Sequence, residues 1–329
     1  MEVMLYPLKF KPILKSQIWG GDRLVKAGKR LPAKLSAAAG SIGESWEISG
    51  VEGDVSVVSN GFLKSNNLEE ITEVYMGDLV GEKVYDTYGL EFPVLVKFID
   101  AHDVLSVQVH PDDELAQRRH GCPGKTEMWY VVDGAPEAYL LDGFSRQVTA
   151  DEYAARVADQ TLPEVLRRYD VRPGDVYYLP AGRVHSIGTG CFICEIQQSS
   201  DVTYRIYDFG RVDSEGRPRQ LHVEEAKEAI DYTVAEPETR REIEANVPAE
   251  LVRSPFFTTS AYRLTEPMTC DYADLDSFVI LICTKGACRV SCGEEEVKLT
   301  AGHTLLVSAE AENVTLAPEG ETTILESYV

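Results

Sequence analysis

Turn signals recur so often along this chain that neither a long helix nor a continuous apolar span can develop between them. Trp46–Ser49, Val94–Ile99, Val104–His110, Met128–Val132, Ala138–Leu141, Val176–Pro180 and Cys191–Gln198 are short runs rich in apolar and β-branched residues. Most are closely bounded by Gly, Pro, Asp or Ser. Runs of this length and composition read as strands. Many short strands between Gly- and Pro-containing turns predict a mainly β chain, arranged as sandwiches or barrels. Helical spacing is confined to three stretches. Asn67–Met76 carries Leu68, Ile71 and Val74. Asp151–Tyr169 carries Tyr153, Ala154, Val157, Leu162 and Leu166, with Pro163 as a restart, and Val223–Tyr232 reads as a short amphipathic helix.

The 329 residues suit two domains. The stretch Thr233–Pro248 is Glu-rich, contains Pro237 and Pro248, and lacks an apolar period, which marks a boundary. Strand-like runs resume beyond it, at Phe278–Cys283, Ala287–Ser291, Glu296–Leu299, Thr304–Val307 and Thr322–Leu325. The expected division is a larger domain over 1–235, with helical insertions, and a smaller β-domain over 236–329. Lys plus Arg number 32 against 54 Asp plus Glu, a net charge of −22, which repels phosphate backbones and argues against nucleic acid as a partner. The same charge requires any anionic substrate to be met by a local cluster of cations. Seven cysteines at irregular spacing do not form a disulfide framework. The opening residues lack the apolar core of a signal peptide, and no apolar run approaches a membrane span. A cytoplasmic protein is expected, with monomer and homodimer both open.

Three segments concentrate polar groups where strands are otherwise apolar. In VLSVQVHPDDE, alternation puts Ser106, Gln108 and His110 on one face and Leu105, Val107 and Val109 on the other. Taken alone, the polar face is either a solvated edge or the wall of a ligand site. In GKTEMWYVVDG, Lys125 and Glu127 share a face. In RPGDVYYLPAGRVHSIG, the turn Pro180-Ala181-Gly182 delivers His185 to the next strand. Lys97 interrupts the apolar strand FPVLVKFID. Glu195 interrupts CFICEIQQ, where it is either a structural ion pair, with Arg205 as the partner, or a base whose pKa burial raises. Cys191 and Cys194 point to opposite strand faces and read as small buried residues.

These segments resemble the two signature motifs of the cupin superfamily. Pro180, Gly182 and His185 match its Pro-x-Gly-x-x-His. Gln108-x-His110, a gap, Glu127 and, after six residues, Gly134 match its first motif, with Gln in place of the usual first His and the insertion PDDELAQRRHGCPGKT. Both departures are similar to one branch, the type I phosphomannose isomerases. PILKSQIWGGDRL, GESWEISG, SVQVHPDDELA, GKTEMWYVV, YYLPAGRVHSIG and EIQQSSDVTYRIYDFGR fit that family in order, over roughly Pro7 to Arg211, in its compact bacterial form.

The resemblance implies two cupin-type jelly-roll barrels and one divalent ion per chain, Zn2+ first among candidates, on Gln108, His110, Glu127 and His185. It further implies interconversion of mannose 6-phosphate and fructose 6-phosphate through a cis-enediol. Glu195 is then the first choice for the proton-moving group, with Lys125 as its competitor. Arg205 matches the family's active-site arginine, Ser106 and Lys97 can contact the sugar phosphate, and Trp19 resembles a pocket-lining residue. The C-terminal segment shows neither cupin motif and reads as a degenerate barrel without metal. His102, His120, His222 and His303 read as structural or surface residues. Two other classes compete. A non-catalytic sugar-phosphate binder would keep Lys97 and Arg205 without the metal set, and an iron oxygenase would favour three His ligands and an apolar pocket.

Overall fold

The computed structural model describes residues 5–212, 215–234 and 242–329. The expected junction at 235/236 therefore lies outside the described residues. The first eleven strands are β1 (Ile13–Gly21), β2 (Ile42–Ile48), β3 (Val94–Asp100), β4 (Val107–Val109), β5 (Glu127–Gly134), β6 (Tyr139–Phe144), β7 (Leu166–Asp170), β8 (Val176–Leu179), β9 (His185–Ile187), β10 (Cys191–Gln198) and β11 (Tyr204–Tyr207). They form a six-stranded sheet in the order β1-β2-β3-β10-β5-β8 and a five-stranded sheet in the order β11-β4-β9-β6-β7. Nine further strands between Ala249 and Tyr328 make a five-stranded and a four-stranded sheet. Each half is a jelly-roll pair of facing sheets and not a closed barrel.

The six-stranded sheet is buried on both faces, which explains why β3 reads as an unbroken apolar run. Ile99 points inward and packs with Trp129, Leu140, Ile187 and Ile193 between the two sheets. Val94, Val96 and Phe98 point outward and join Cys194, Ile196, Phe278, Ile280 and Leu325 in a core shared with the C-terminal sheets. Main-chain bonds between Leu8 and Leu306 tie the two halves together. The outer face of the five-stranded sheet is covered by the helices Ala150–Ala158 and Val223–Ala229, through Tyr153, Ala226 and Ile230 against Val109, Phe144 and Ile206. No helix among the described residues is long and apolar enough to cross a membrane.

Most predicted strands fall within a few residues of the observed ones. Two helical readings need correction. Leu68–Val80 starts where expected, because Asn67 and Glu70 form a capping box. It runs beyond Met76, whose φ of 45° breaks the helix, and Val74 faces solvent instead of the core. In Asp151–Tyr169 only Ala150–Ala158 is α-helical, whereas Leu166–Asp170 pairs with β6 as an edge strand. There the strand partner overrides the local helical spacing. The helix Asp113–His120, capped by Asp112, lies in the inserted segment and was not anticipated.

Candidate functional site

The two sheets of the first jelly roll contribute opposite halves of one site. On the five-stranded sheet, Gln108 of β4 pairs with His185 of β9 and with Arg205 of β11, and His110 follows β4 directly. On the facing sheet, Glu127 opens β5. His110, Glu127 and His185 are at most 1% exposed, and one potential ligand atom from each lies within 4.8 Å of the others. The Glu127 carboxylate sits between the imidazoles, with Oε1 3.2 Å from His185 Nε2 and Oε2 3.5 Å from His110 Nε2. The Gln108 amide reaches 3.3 Å from His185 Nε2.

Main-chain carbonyls fix both imidazole tautomers. His110 Nδ1 donates to Val202 O at 2.9 Å and His185 Nδ1 to Arg183 O at 2.8 Å, so both Nε2 lone pairs face Glu127. Burial, reinforced by the Lys125 ammonium, holds the His110 imidazole well below its ordinary range. Burial also takes His185 down to about 4. Both are neutral. Burial and the charge of Glu195 push the Glu127 carboxyl up to about 7, against the pull of Lys125 and Lys97. Neither Glu127 oxygen has a hydrogen bond among the described residues, although Lys125 Nζ lies 3.2 Å from Oε2. Two inward lone pairs and an unsatisfied carboxylate are unfavourable in a dry interior unless a cation joins them. The residues present therefore fit a divalent metal. The nitrogen and oxygen donors accept zinc but do not select it.

These shifts contribute to the pH dependence of the metal-free fold. Between pH about 4.5 and 7, folded Glu127 holds a proton that the unfolded chain has lost, so this group alone makes stability fall as pH rises. His110 and His185 lack protons that the unfolded chain binds below about 6.5, so they make stability rise. The buried carboxyls of Asp142 and Glu326, which burial also raises, act in the same sense as Glu127. In excess chelator Glu127→Gln removes one of these falling contributions, so the melting temperature of the variant should climb more steeply between pH about 4.5 and 6.5 than that of the parent. Thermal melts of both proteins check this, and a shallower climb in the variant contradicts it.

A cavity of about 260 Å³ opens beside the cluster. Trp19, Lys97, Ser106, Gln108, Lys125, Glu195 and Arg205 all line it, so the structure gathers the expected substrate residues in one place. It also adds Gln17, Glu44, Asp201 and Arg219. Gln17, Glu44 and Asp201 lie within the family-like segments, but no pattern of spacing distinguished them. A larger cavity of about 510 Å³ is lined by Gly50–Gly53, Val55, Glu91–Pro93 and Gly121–Pro123 among others. Among the described residues it has no Lys or Arg in its wall and touches the first only through Asp201. The cationic cavity is the better match for an anionic substrate.

Glu195 departs from expectation. Its partner is Lys97, not Arg205. The two are register partners on β10 and β3, with Nζ 3.0 Å from Oε1, while Trp129 Nε1 donates to Oε2 at 2.8 Å. Burial does favour the neutral acid, but Lys97 and Lys125 outweigh it and hold the carboxyl down, at about 2. Burial likewise opposes the Lys97 charge, and Glu195, Glu44 and Asp201 more than restore it. Arg205 donates from Nη1 to Gln220 O at 3.1 Å, and its Nε is buried without a hydrogen bond among the described residues. Cys191 and Cys194 lie in different cores, as alternation requires. Among the described residues, His110, Glu127 and His185 form the one group of His, Cys, Asp and Glu close enough to share a metal, and the C-terminal domain contributes nothing to it.

A jelly roll with a buried His–Glu–His cluster beside a cationic cavity is an enzyme scaffold of the cupin class. Residues 7–152 match the family model for the phosphomannose isomerase type I catalytic domain, and residues 249–329 match that for the mannose-6-phosphate isomerase cupin domain. The chain is 34% identical over 308 residues to the mannose-6-phosphate isomerase ManA of Bacillus subtilis, covering 92% of each protein. It is 34% identical over 309 residues to the mannose-6-phosphate isomerase of Streptococcus mutans, covering 92% of this chain and 93% of that one. A crystal structure of the mannose 6-phosphate isomerase from Bacillus subtilis aligns with a TM-score of 0.83 at 28% identity, over 99% of this chain and all of the other. The chain belongs to the type I mannose-6-phosphate isomerase family, and its activity is that of a sugar-phosphate isomerase.

Proposed function

We propose that this chain interconverts mannose 6-phosphate and fructose 6-phosphate through a cis-enediol, with zinc held by Gln108, His110, Glu127 and His185. The observation that carries this reading is the Glu127 carboxylate, without a hydrogen bond among the described residues, between two neutral imidazoles and beside a cavity with Lys97, Lys125 and Arg205 in its wall. A divalent ion bound there supplies Lewis acidity to the sugar's carbonyl and hydroxyl oxygens.

The chain's own residues divide the remaining work. Arg205 and Ser106 hold the phosphate end, since a guanidinium can grip a phosphate with paired hydrogen bonds. Trp19 forms a wall against the sugar. Glu195 is a poor base, because a carboxyl held near 2 gains little by taking a proton at neutral pH. Its role in this reading is electrostatic: it fixes the Lys97 ammonium at the cavity wall. Lys125, whose Nζ lies 3.2 Å from Glu127 Oε2 and which lines the cavity, is assigned the transfer of the proton between C1 and C2: its ammonium first releases a proton, and the free amine then takes the proton from one carbon and returns it to the other.

Two experiments test this. A coupled assay on metal-stripped protein should show activity lost and then restored by zinc, and an undiminished rate after stripping refutes the metal's role. Lys125→Met should slow deuterium wash-in at C1 of fructose 6-phosphate by about a hundredfold or more. Exchange at the normal rate would transfer the proton-moving role to another group.

A further inference from the structure

β11 is an outer strand, so among the described residues one of its edges lacks a strand partner. On the inner edge Arg205 pairs with Gln108. On the outer edge it meets the short segment Arg219–His222. His222 N–H donates to Arg205 O at 2.7 Å, and Arg205 N–H donates to His222 Nδ1 at 3.2 Å. In an ordinary antiparallel pair, the second bond would go to the main-chain carbonyl of residue 222. That carbonyl is already committed, because it accepts from Ala226 N at 3.0 Å and opens the helix Val223–Ala229. The imidazole nitrogen stands in for it. Two residues earlier, Gln220 O accepts the Arg205 guanidinium at 3.1 Å, and Arg219 reaches the cavity wall. One short segment thus holds Arg205 by backbone and by side chain.

We propose that His222 is the positioning residue for Arg205, and that its Nδ1 lone pair fixes the strand edge from which the guanidinium enters the substrate cavity. This rests on the role assigned to Arg205 above. The requirement is chemical: residue 222 must start a helix with its carbonyl and still offer a second acceptor from its side chain at short reach. Asn meets that requirement, since its Oδ1 occupies the place of Nδ1. Ala has no acceptor, and Gln carries its acceptor one atom too far.

The test is a set of variants assayed for kcat/KM with mannose 6-phosphate, each shown to be folded by its circular-dichroism melt. His222→Ala and His222→Gln should each lose about 30-fold, the scale of a modest displacement of a substrate-holding group, while His222→Asn stays within about threefold of the parent. Arg205→Ala should lose more, and the double variant Arg205→Ala/His222→Ala should be no worse than Arg205→Ala alone, because the two residues act as one unit. If His222→Ala does not fold, the Asn and Gln variants decide the matter by themselves. Normal turnover in His222→Ala or His222→Gln beside a crippled Arg205→Ala overturns the inference and leaves the role of Arg205 intact. Equal damage in the Asn and Gln variants, or losses that add in the double variant, also overturns it. Normal turnover in Arg205→Ala overturns the role of Arg205 itself.

Discussion

His110→Ala is expected to lower turnover by about a thousandfold or more and to release the metal, while the jelly roll stays folded. The Nε2 of His110 is one of two neutral imidazole lone pairs aimed at Glu127, and its Nδ1 bond to Val202 O holds the ring in that pose. Removing the ring leaves His185, Glu127 and Gln108, and it also removes the neighbour that Lys125 approaches at 3.2 Å. Structural damage should be modest. His110 follows a strand end and is not part of the four apolar cores. Metal content after dialysis, a thermal melt and the coupled assay check the three parts. Stoichiometric metal with normal turnover would take His110 out of the ligand set.

Lys97→Met should destabilise the protein by about 3–5 kcal/mol, the cost of leaving a buried charge without its partner. Both members of the Lys97–Glu195 pair are at most 5% exposed, and once the ammonium is gone Glu195 keeps one hydrogen bond, from the Trp129 indole, and the more distant charge of Lys125. The same change removes a cation from the cavity wall, so stability and turnover fall together. The double variant Lys97→Met/Glu195→Gln separates them. Neutral groups on both sides remove the unpaired charge, so most of the lost stability should return while activity stays low. Denaturant unfolding and kcat/KM measured on the same preparations decide it. Recovery of turnover along with stability would mean that the pair is only a structural element.

The motifs around Gln108, His110 and His185 were legible because their logic is local. Alternation along one strand places Gln108 and His110 together, and the turn at Pro180–Gly182 sets the position of His185. Lys97 stood out because a lysine in so apolar a strand needs a reason. Glu195 stood out in the same way, but its partner did not. Arg205 is a short distance along the chain and Lys97 is far away, yet β10 pairs with β3 in a register that puts Lys97 directly opposite. The expected rise in the Glu195 pKa failed for the same reason, since burial was visible in the pattern and the compensating cation was not. His222 reads from the sequence as a structural or surface residue, because its imidazole replaces a carbonyl already taken by a helix start, which no spacing rule records.

The sequence by itself determined that the chain is built of short strands, that one strand carries Gln108 and His110 on a common face, and that its motifs fall in the order of the type I mannose-6-phosphate isomerases. Only the tertiary structure decided that Glu127, from the facing sheet, closes on the two histidines, that Lys97 neutralises Glu195, and that Arg205 is held by the segment ending at His222. The physical reason is that side-chain period reveals which way a residue points but not what it meets. What it meets is set by strand register and by the packing of one sheet on another, and both join residues far apart in the chain.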